Sequence, residues 1–210
     1  ETRASAIAMV VLNGRMSTKS FANWKKYPSM IRQILTSFNA VLAGSDADGE
    51  RFKKLGAKNV SAPGNLKYAA GPLPVDDAEL NKLKTELSGR QLWLAASTHP
   101  GEDAIVGKVH KELESSHKGL LSIIVPRHPE RGPEIANQLI NMGLKVSLRS
   151  QGQAIEAGTQ IYIADTMGEL GIFYHLAKIS FIGKSLMGGG GQNPLEAAWL
   201  ESTMIFGPGM

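Results

Sequence analysis

The chain has 210 residues, of which 42% are hydrophobic and 20% charged, and these proportions are typical of a globular chain with a sizeable core. It contains no cysteine, which excludes disulfides, thiolate catalysis and cysteine-ligated zinc. No run approaches the roughly 18 consecutive apolar residues of a membrane-spanning helix.

The net charge of +4 is unevenly distributed, because residues 1–58 contain ten Lys and Arg against four Asp and Glu. A basic segment favours anionic partners such as phosphates, acidic lipids or nucleic acid, but it is also typical of an ordinary solvated surface. Charge by itself leaves both interpretations open.

The first part of the chain predicts short strands that alternate with helices. Helices are expected at 17–27, where Pro28 ends the helix, and from Ser45, which opens a capping-box pattern, through Leu55. The remaining expectations are strands at 7–12, 38–43 and 60–62, a Gly/Pro-rich linker at 71–75 and a helix at 76–87.

A second strand–helix series begins near residue 89. Strands are predicted at 92–96, 120–125, 145–148, 160–164 and 179–182, and helices at 102–115, at 133–142, after residue 170 and from residue 193. Such alternation predicts an α/β fold with a Rossmann-like, doubly wound parallel sheet. Ligands of these sheets bind at the carboxyl ends of the strands, so we expect the loops there to carry the site.

The glycine-rich segment 183–196 joins a predicted strand to a predicted helix. Asn193 suits the N-cap, Pro194 the first helical position and Glu196 the third, so free N–H groups would face the loop and could bind a phosphate. The segment is neither a Walker A motif nor a clean Gly-x-Gly-x-x-Gly. The alternative is a flexible turn with a capping pair.

Three further loops follow predicted strands. Thr166 and Glu169 have capping-box spacing, and the same loop could instead bind a base or ribose through Glu169, with Gly168 clearing space. Arg127 is suited to binding a phosphate or carboxylate bidentately. The segment 97–102 fits a helix cap or a binding loop equally, and no metal motif is found.

An aromatic stripe runs along the first predicted helix. Phe21, Trp24 and Tyr27 fall on one side, with lysines flanking them at 19, 25 and 26. This pattern fits either a helix that packs into the core or one that lies at a membrane interface.

Six stretches together resemble the 3-deoxy-D-manno-octulosonic acid (Kdo) transferases of Gram-negative bacteria, and they occur in that family's order across nearly the whole chain. They are Asn13-Gly14-Arg15-Met16-Ser17, Gly64-Asn65-Leu66-Lys67, 96–102 (ASTHPGE), 125–131 (VPRHPER), 164–170 (ADTMGEL) and 190–196 (GGQNPLE). The sequence departs from the family at Gln192, where His is usual, and at Gly188-Gly189, where bulkier residues are usual.

The resemblance implies a GT-B glycosyltransferase with two Rossmann-like domains. Residues 1–66 would end the acceptor-side domain, 67–88 would form a linker and helix, and 89–210 would form an incomplete CMP-sugar-binding domain. The donor would be CMP-Kdo and the acceptor a lipid A precursor, at the cytoplasmic face of the inner membrane through peripheral contact. No cofactor, metal or nucleic acid is implied.

The resemblance also implies which residues hold CMP: Pro126, Arg127, Met167, Gly168, Glu169, Asn193, Pro194, Leu195 and Glu196. The family's general base is a glutamate of the N-terminal domain, upstream of Glu1. Because the chain opens on Glu1 and stops on a turn, we expect a piece of a longer protein that binds CMP without turnover.

Three other interpretations stay open: a GT-B transferase using a UDP-sugar, a nucleotide-binding module without catalysis, and a nicotinamide-dependent oxidoreductase. The oxidoreductase is disfavoured because no Gly-x-Gly-x-x-Gly follows an early strand.

Overall fold

The computed structural model describes residues 7–65, 71–188 and 190–210 of the chain. Two compact units divide it, Glu1–Gly71 and Pro72–Met210. The sequence analysis began the second domain at residue 89, whereas here the helix before that point lies in the second unit. Of the sequence motifs, Leu66-Lys67 and Gly189 lie outside the described residues, as does the start of the chain, residues 1–6.

The first unit contains a parallel sheet with the strand order β1-β2-β3. Its strands are β1 (Val10–Gly14), β2 (Ala40–Ala43) and β3 (Val60–Ser61), and its helices are α1 (Thr18–Trp24), α2 (Pro28–Leu35) and α3 (Asp46–Lys54). The Ser45 hydroxyl accepts the N–H of Asp48 at 3.2 Å, so the predicted cap of α3 is confirmed.

Pro28 begins a helix instead of only ending one. The sequence analysis missed α2, in which Pro28 occupies the first helical position, where its missing N–H costs nothing. The predicted aromatic stripe is divided as a result. Phe21 and Trp24 pack against the core of the first unit, whereas Tyr27 is exposed.

The second unit is built on a six-stranded parallel sheet with the order β6-β7-β5-β4-β8-β9. Its strands are β4 (Leu92–Thr98), β5 (Leu121–Pro126), β6 (Val146–Leu148), β7 (Ile161–Ile163), β8 (Ile179–Ile182) and β9 (Thr203–Ile205). Its helices are α4 (Asp77–Glu86), α5 (Glu102–Glu114), α6 (Gly132–Asn141), α7 (Leu170–Leu176) and α8 (Leu195–Trp199).

Helices cover both faces of this sheet. Alternate residues of β4 show why, since Leu94 packs in one apolar cluster with α4 and α7, and Ala95 packs in another with α5 and α6. Every residue of the central strand β5 is buried, as expected for a strand covered on both sides. The predicted α/β doubly wound parallel sheet is therefore confirmed.

The strand order changes direction beside β4. The chain passes from β4 to β5 on one side, and it later returns to place β8 on the other side. The loops that leave β4 and β8 therefore diverge and open a crevice at the carboxyl ends of the strands, which is where ligands bind in such sheets.

Candidate functional site

A cavity of about 250 Å³ lies at the carboxyl ends of the second unit's strands. The carboxyl end of β4 and the loops after β5, β7 and β8 all contribute to its lining, so these strand ends do come together. Six of the predicted site residues line the cavity: Pro126, Arg127, Met167, Gly168, Asn193 and Glu196.

The other three predicted residues are not among the cavity's lining residues. Pro194 is the N-cap of α8 and Leu195 is its first residue. Glu169 lines a neighbouring cavity, where its carboxylate binds Arg149. Glu169 thus borders the cavity at the strand ends through its loop, residues 166–168, rather than through its side chain.

The helix at the end of the glycine-rich segment starts two residues after the expected N-cap. Pro194 is the N-cap instead of Asn193, and no side chain caps the helix. The Asn193 side chain accepts the N–H of Leu195 at 3.3 Å, which is the local turn that Asn forms with the residue two positions on. The helix has only five residues, and this side of the cavity is lined by Gln192 and Asn193 of the preceding loop together with Glu196 of the helix.

Glu102 connects the loop after β4 to the loop after β8 through backbone hydrogen bonds. Its carboxylate is fully buried and accepts four backbone N–H groups. Oε2 accepts from His99 at 2.9 Å and from Lys184 at 2.8 Å, while Oε1 accepts from Ser185 at 3.0 Å and from Leu186 at 3.1 Å. A carboxylate on the first residue of α5 therefore fixes the β4 loop and the β8 loop to each other.

Gly183 allows the same two loops to touch. A Cβ at this position would lie 2.2 Å from the carbonyl oxygen of Ser97, which no real side chain tolerates. The glycine at the head of the segment is thus required by the packing of the two loops.

Two histidines meet above these loops. His99 Nε2 lies 2.8 Å from Nε2 of Gln192, which lines the cavity, and the rings of His99 and His128 meet edge to face with centroids 6.1 Å apart. Burial lowers the pKa of His99, and the charges of Lys184, His128 and Arg127 lower it further against the opposing effect of Glu102. His99 is therefore neutral at pH 7.

Arg149 is the residue of this region that sequence reasoning missed. Its Nε donates to Glu169 at 2.7 Å, its Nη1 to the Tyr162 hydroxyl at 3.1 Å and its Nη2 to Glu79 at 3.0 Å. Thr166 donates to the same Glu169 carboxylate, so the loop after β7 is fixed at both ends. The hydrogen bond from Arg149 holds the pKa of Glu169 below its usual value, against the effect of burial.

Tyr174 contributes a protonated hydroxyl to the cavity wall. Burial raises the pKa of Tyr174, and the nearby carboxylate of Glu196 raises it further. The phenol therefore keeps its proton at neutral pH, and both Tyr174 and Glu196 line the cavity. Together they offer a hydroxyl donor and a carboxylate acceptor to a polar ligand.

The chain is similar to known proteins over both of its units. Residues 1–70 match the family described as "3-Deoxy-D-manno-octulosonic-acid transferase (kdotransferase)". The chain is 39% identical to the 3-deoxy-D-manno-octulosonic acid transferase of Rickettsia bellii, over 96% of this chain and 48% of that protein. It is 33% identical to the enzyme of the same name from Haemophilus influenzae, again over 96% of this chain and 48% of that protein.

A solved structure matches as well. The crystal structure of the C-terminal CMP-Kdo binding domain of WaaA from Acinetobacter baumannii is similar with a TM-score of 0.58 and 37% sequence identity. The match covers 63% of this chain and 70% of that one. The chain spans about half the length of the curated relatives it matches.

Replacing Glu102 by Gln should loosen the loops that follow β4 and β8. The substitution exchanges one carboxylate oxygen for an NH₂ group, and each oxygen of Glu102 accepts two backbone N–H groups. At least two N–H donors therefore lose their acceptor, and the free energy of unfolding should fall by about 1–3 kcal/mol. Glu112→Gln, on an exposed position of the same helix, is the control and should change little. Urea unfolding measures both, and equal stability of the two variants would contradict the role given to Glu102.

The Arg149–Glu169 pair should make stability depend on acid. Because the folded-state pKa of Glu169 is depressed, its contribution is present above the unfolded-state value near 4.5 and is lost as pH falls through the folded pKa. Glu169→Gln should therefore cost stability at pH 7 and progressively less as pH is lowered below 4.5. Urea unfolding at pH 7 and at a pH below 4.5 measures this loss, with the exposed Glu130→Gln as the control. A loss of stability that does not depend on pH would refute the role given to the Arg149–Glu169 pair.

Proposed function

This chain belongs to the 3-deoxy-D-manno-octulosonic acid transferase family, and from that premise we propose that it binds the donor of an enzyme that transfers Kdo from CMP-Kdo in lipopolysaccharide biosynthesis. The observation that carries the proposal is the cavity at the strand ends of the second unit, which four loops line with polar and apolar groups. Over 63% of its length, the chain resembles a domain named for CMP-Kdo binding.

The cavity offers separate walls to the parts of a nucleotide. The Thr166–Gly168 loop supplies an apolar, exposed Met167 and a glycine that leaves open space, which suits a flat base. Glu196 and Tyr174 supply an acceptor and a donor for ribose hydroxyls. Pro126 stiffens the turn that carries Arg127 into the cavity lining.

Arg127 is the proposed partner of the phosphate. It is exposed at the cavity, and among the ion pairs of the described residues none involves it. A guanidinium without a protein carboxylate can donate two hydrogen bonds to a phosphate. As CMP departs from the sugar, negative charge grows on that phosphate, and a cation already in position stabilises it.

The acceptor side of the proposal rests on the first unit. Met30 and Ile34 are exposed and lie about one turn apart on the same side of α2, and Tyr27, the residue just before that helix, is exposed as well. Exposed Lys25 and Lys26 stand directly before this face. An apolar helix face next to lysines suits the surface of a membrane that contains acidic lipids, which is where we propose the enzyme meets a lipid A precursor. No helix in the described parts of the chain has the length and apolar character of a membrane span.

CMP should bind this chain, and UMP and NAD should bind weakly or not at all. Isothermal titration is the measurement. Glu196→Ala should weaken CMP binding by about tenfold or more, because it removes a carboxylate hydrogen bond to the ligand. Glu134→Ala, on the first turn of α6 outside the cavity, is the matched control.

Preference for UMP over CMP would move the proposal to a transferase that uses a UDP-sugar. Failure of all three ligands to bind a chain that melts cooperatively would refute the nucleotide site itself.

The proposed membrane face should be separable from the nucleotide cavity. Met30→Glu with Ile34→Glu should reduce binding to phosphatidylglycerol-containing vesicles about tenfold, since two apolar side chains no longer enter the interface. Ile140→Glu introduces a similar change at an exposed position of α6 and should leave vesicle binding intact. Co-sedimentation measures binding, and equal losses in both variants would argue against a specific face.

A further inference from the structure

Basic residues from three loops converge beside the nucleotide cavity. His99 and Lys184 donate their backbone N–H groups to the same oxygen of Glu102, at 2.9 Å and 2.8 Å, so the two backbones adjoin at one atom. Arg127 is fixed to the same place because its N–H donates to the Thr98 carbonyl at 3.0 Å. These residues therefore lie close together although the sequence separates them widely.

Arg127 and Lys184, the two permanent cations of this cluster, form no ion pair within the described part of the chain. Glu102 is the buried carboxylate of the cluster, and four backbone N–H groups already occupy its oxygens. His128 has only a loose contact with Glu130, 3.6 Å away, between two exposed side chains.

The cluster is connected to the cavity through His99. Gln192 lines the cavity, and its amide lies 2.8 Å from His99 Nε2. With the Gln192 amide as donor, the His99 proton is on Nδ1, which leaves that atom as the free donor of the ring. Burial lowers the pKa of His99, and the charges of Lys184, His128 and Arg127 lower it further, against the opposing charge of Glu102. An anion placed here would relieve that repulsion.

We propose that His99 and Lys184 form a subsite for the carboxylate of the donor sugar, next to the phosphate at Arg127. This inference rests on the proposed function, because CMP alone has no use for such a subsite. In a CMP-ulosonic acid the anomeric carbon carries both the carboxylate and the phosphate oxygen, so the two anions must bind side by side. Two cations carried by neighbouring loops, together with one neutral, protonatable histidine, match that arrangement.

The first test compares the affinities of CMP and CMP-Kdo for the 210-residue chain by isothermal titration. Wild-type chain should bind CMP-Kdo about tenfold more tightly than CMP, since the carboxylate adds a charge-assisted contact. Lys184→Gln should abolish this difference and leave CMP affinity unchanged. Both residues carry a Cβ, so the positive φ of 63° at this position is equally strained in each.

Lys178→Gln is the matched control, because it removes the same charge just before the opposite end of β8. It should retain the wild-type preference for CMP-Kdo. A chain that binds CMP but gains nothing from the carboxylate would overturn the subsite and spare the proposed function. Lys184→Gln weakening CMP and CMP-Kdo equally would also overturn it, since Lys184 would then serve the phosphate or the loop. Binding of neither ligand would overturn both proposals.

The second test measures the uptake of protons when CMP-Kdo binds. A carboxylate beside His99 should raise the pKa of that ring, so CMP-Kdo binding near pH 6 should take up protons from solution. Binding enthalpies in two buffers of different ionisation enthalpy measure this uptake, and the ligand's own phosphodiester and carboxylate stay ionised at that pH. Uptake should vanish in His99→Gln and persist in His128→Gln. Uptake that survives in His99→Gln would overturn the assignment of His99.

Discussion

The site depends on a buried carboxylate whose charge is satisfied by the backbone rather than by a cation. Glu102 is fully buried, and desolvating a carboxylate is costly unless its oxygens find donors. Four N–H groups from two loops supply them. Because those loops leave β4 and β8 on either side of the point where the strand order reverses, the interaction sets the width of the crevice that the topology only opens.

Much of the fold could be predicted because its signals are local. The cap at Ser45, the helix that begins near Asp76 and the strand at 179–182 are each indicated by a few neighbouring residues, and the structure has them where expected. Pro28 shows the limit of such rules, since a proline that cannot continue one helix is equally suited to begin the next. Asn193 shows another, because its side chain closes a turn with Leu195 instead of capping the helix.

The site was predicted less completely, because its supporting contacts join distant parts of the chain. Thr166 and Glu169 have the spacing of a helix cap, yet Glu169 is engaged by Arg149, which lies 20 positions away and has no recognisable pattern. Glu102 likewise reads as the start of a helix, and its bonds to residues 184–186 follow only from the packing of two strands. Local periodicity carries no information about either contact.

The two sides of the cavity differ in the cations that they offer, and in the proposed complex this difference would orient the donor. On one side, the carboxylates of Glu169 and Glu79 both pair with Arg149, so this guanidinium is not available to an anionic ligand. On the other side, Arg127 and Lys184 have no carboxylate partner in the described structure. In the proposed complex, a nucleotide sugar whose phosphate and carboxylate are adjacent would gain most when those two anions face Arg127 and Lys184. Its base would then lie against Met167, and its sugar would be directed toward the loops that Glu102 holds together.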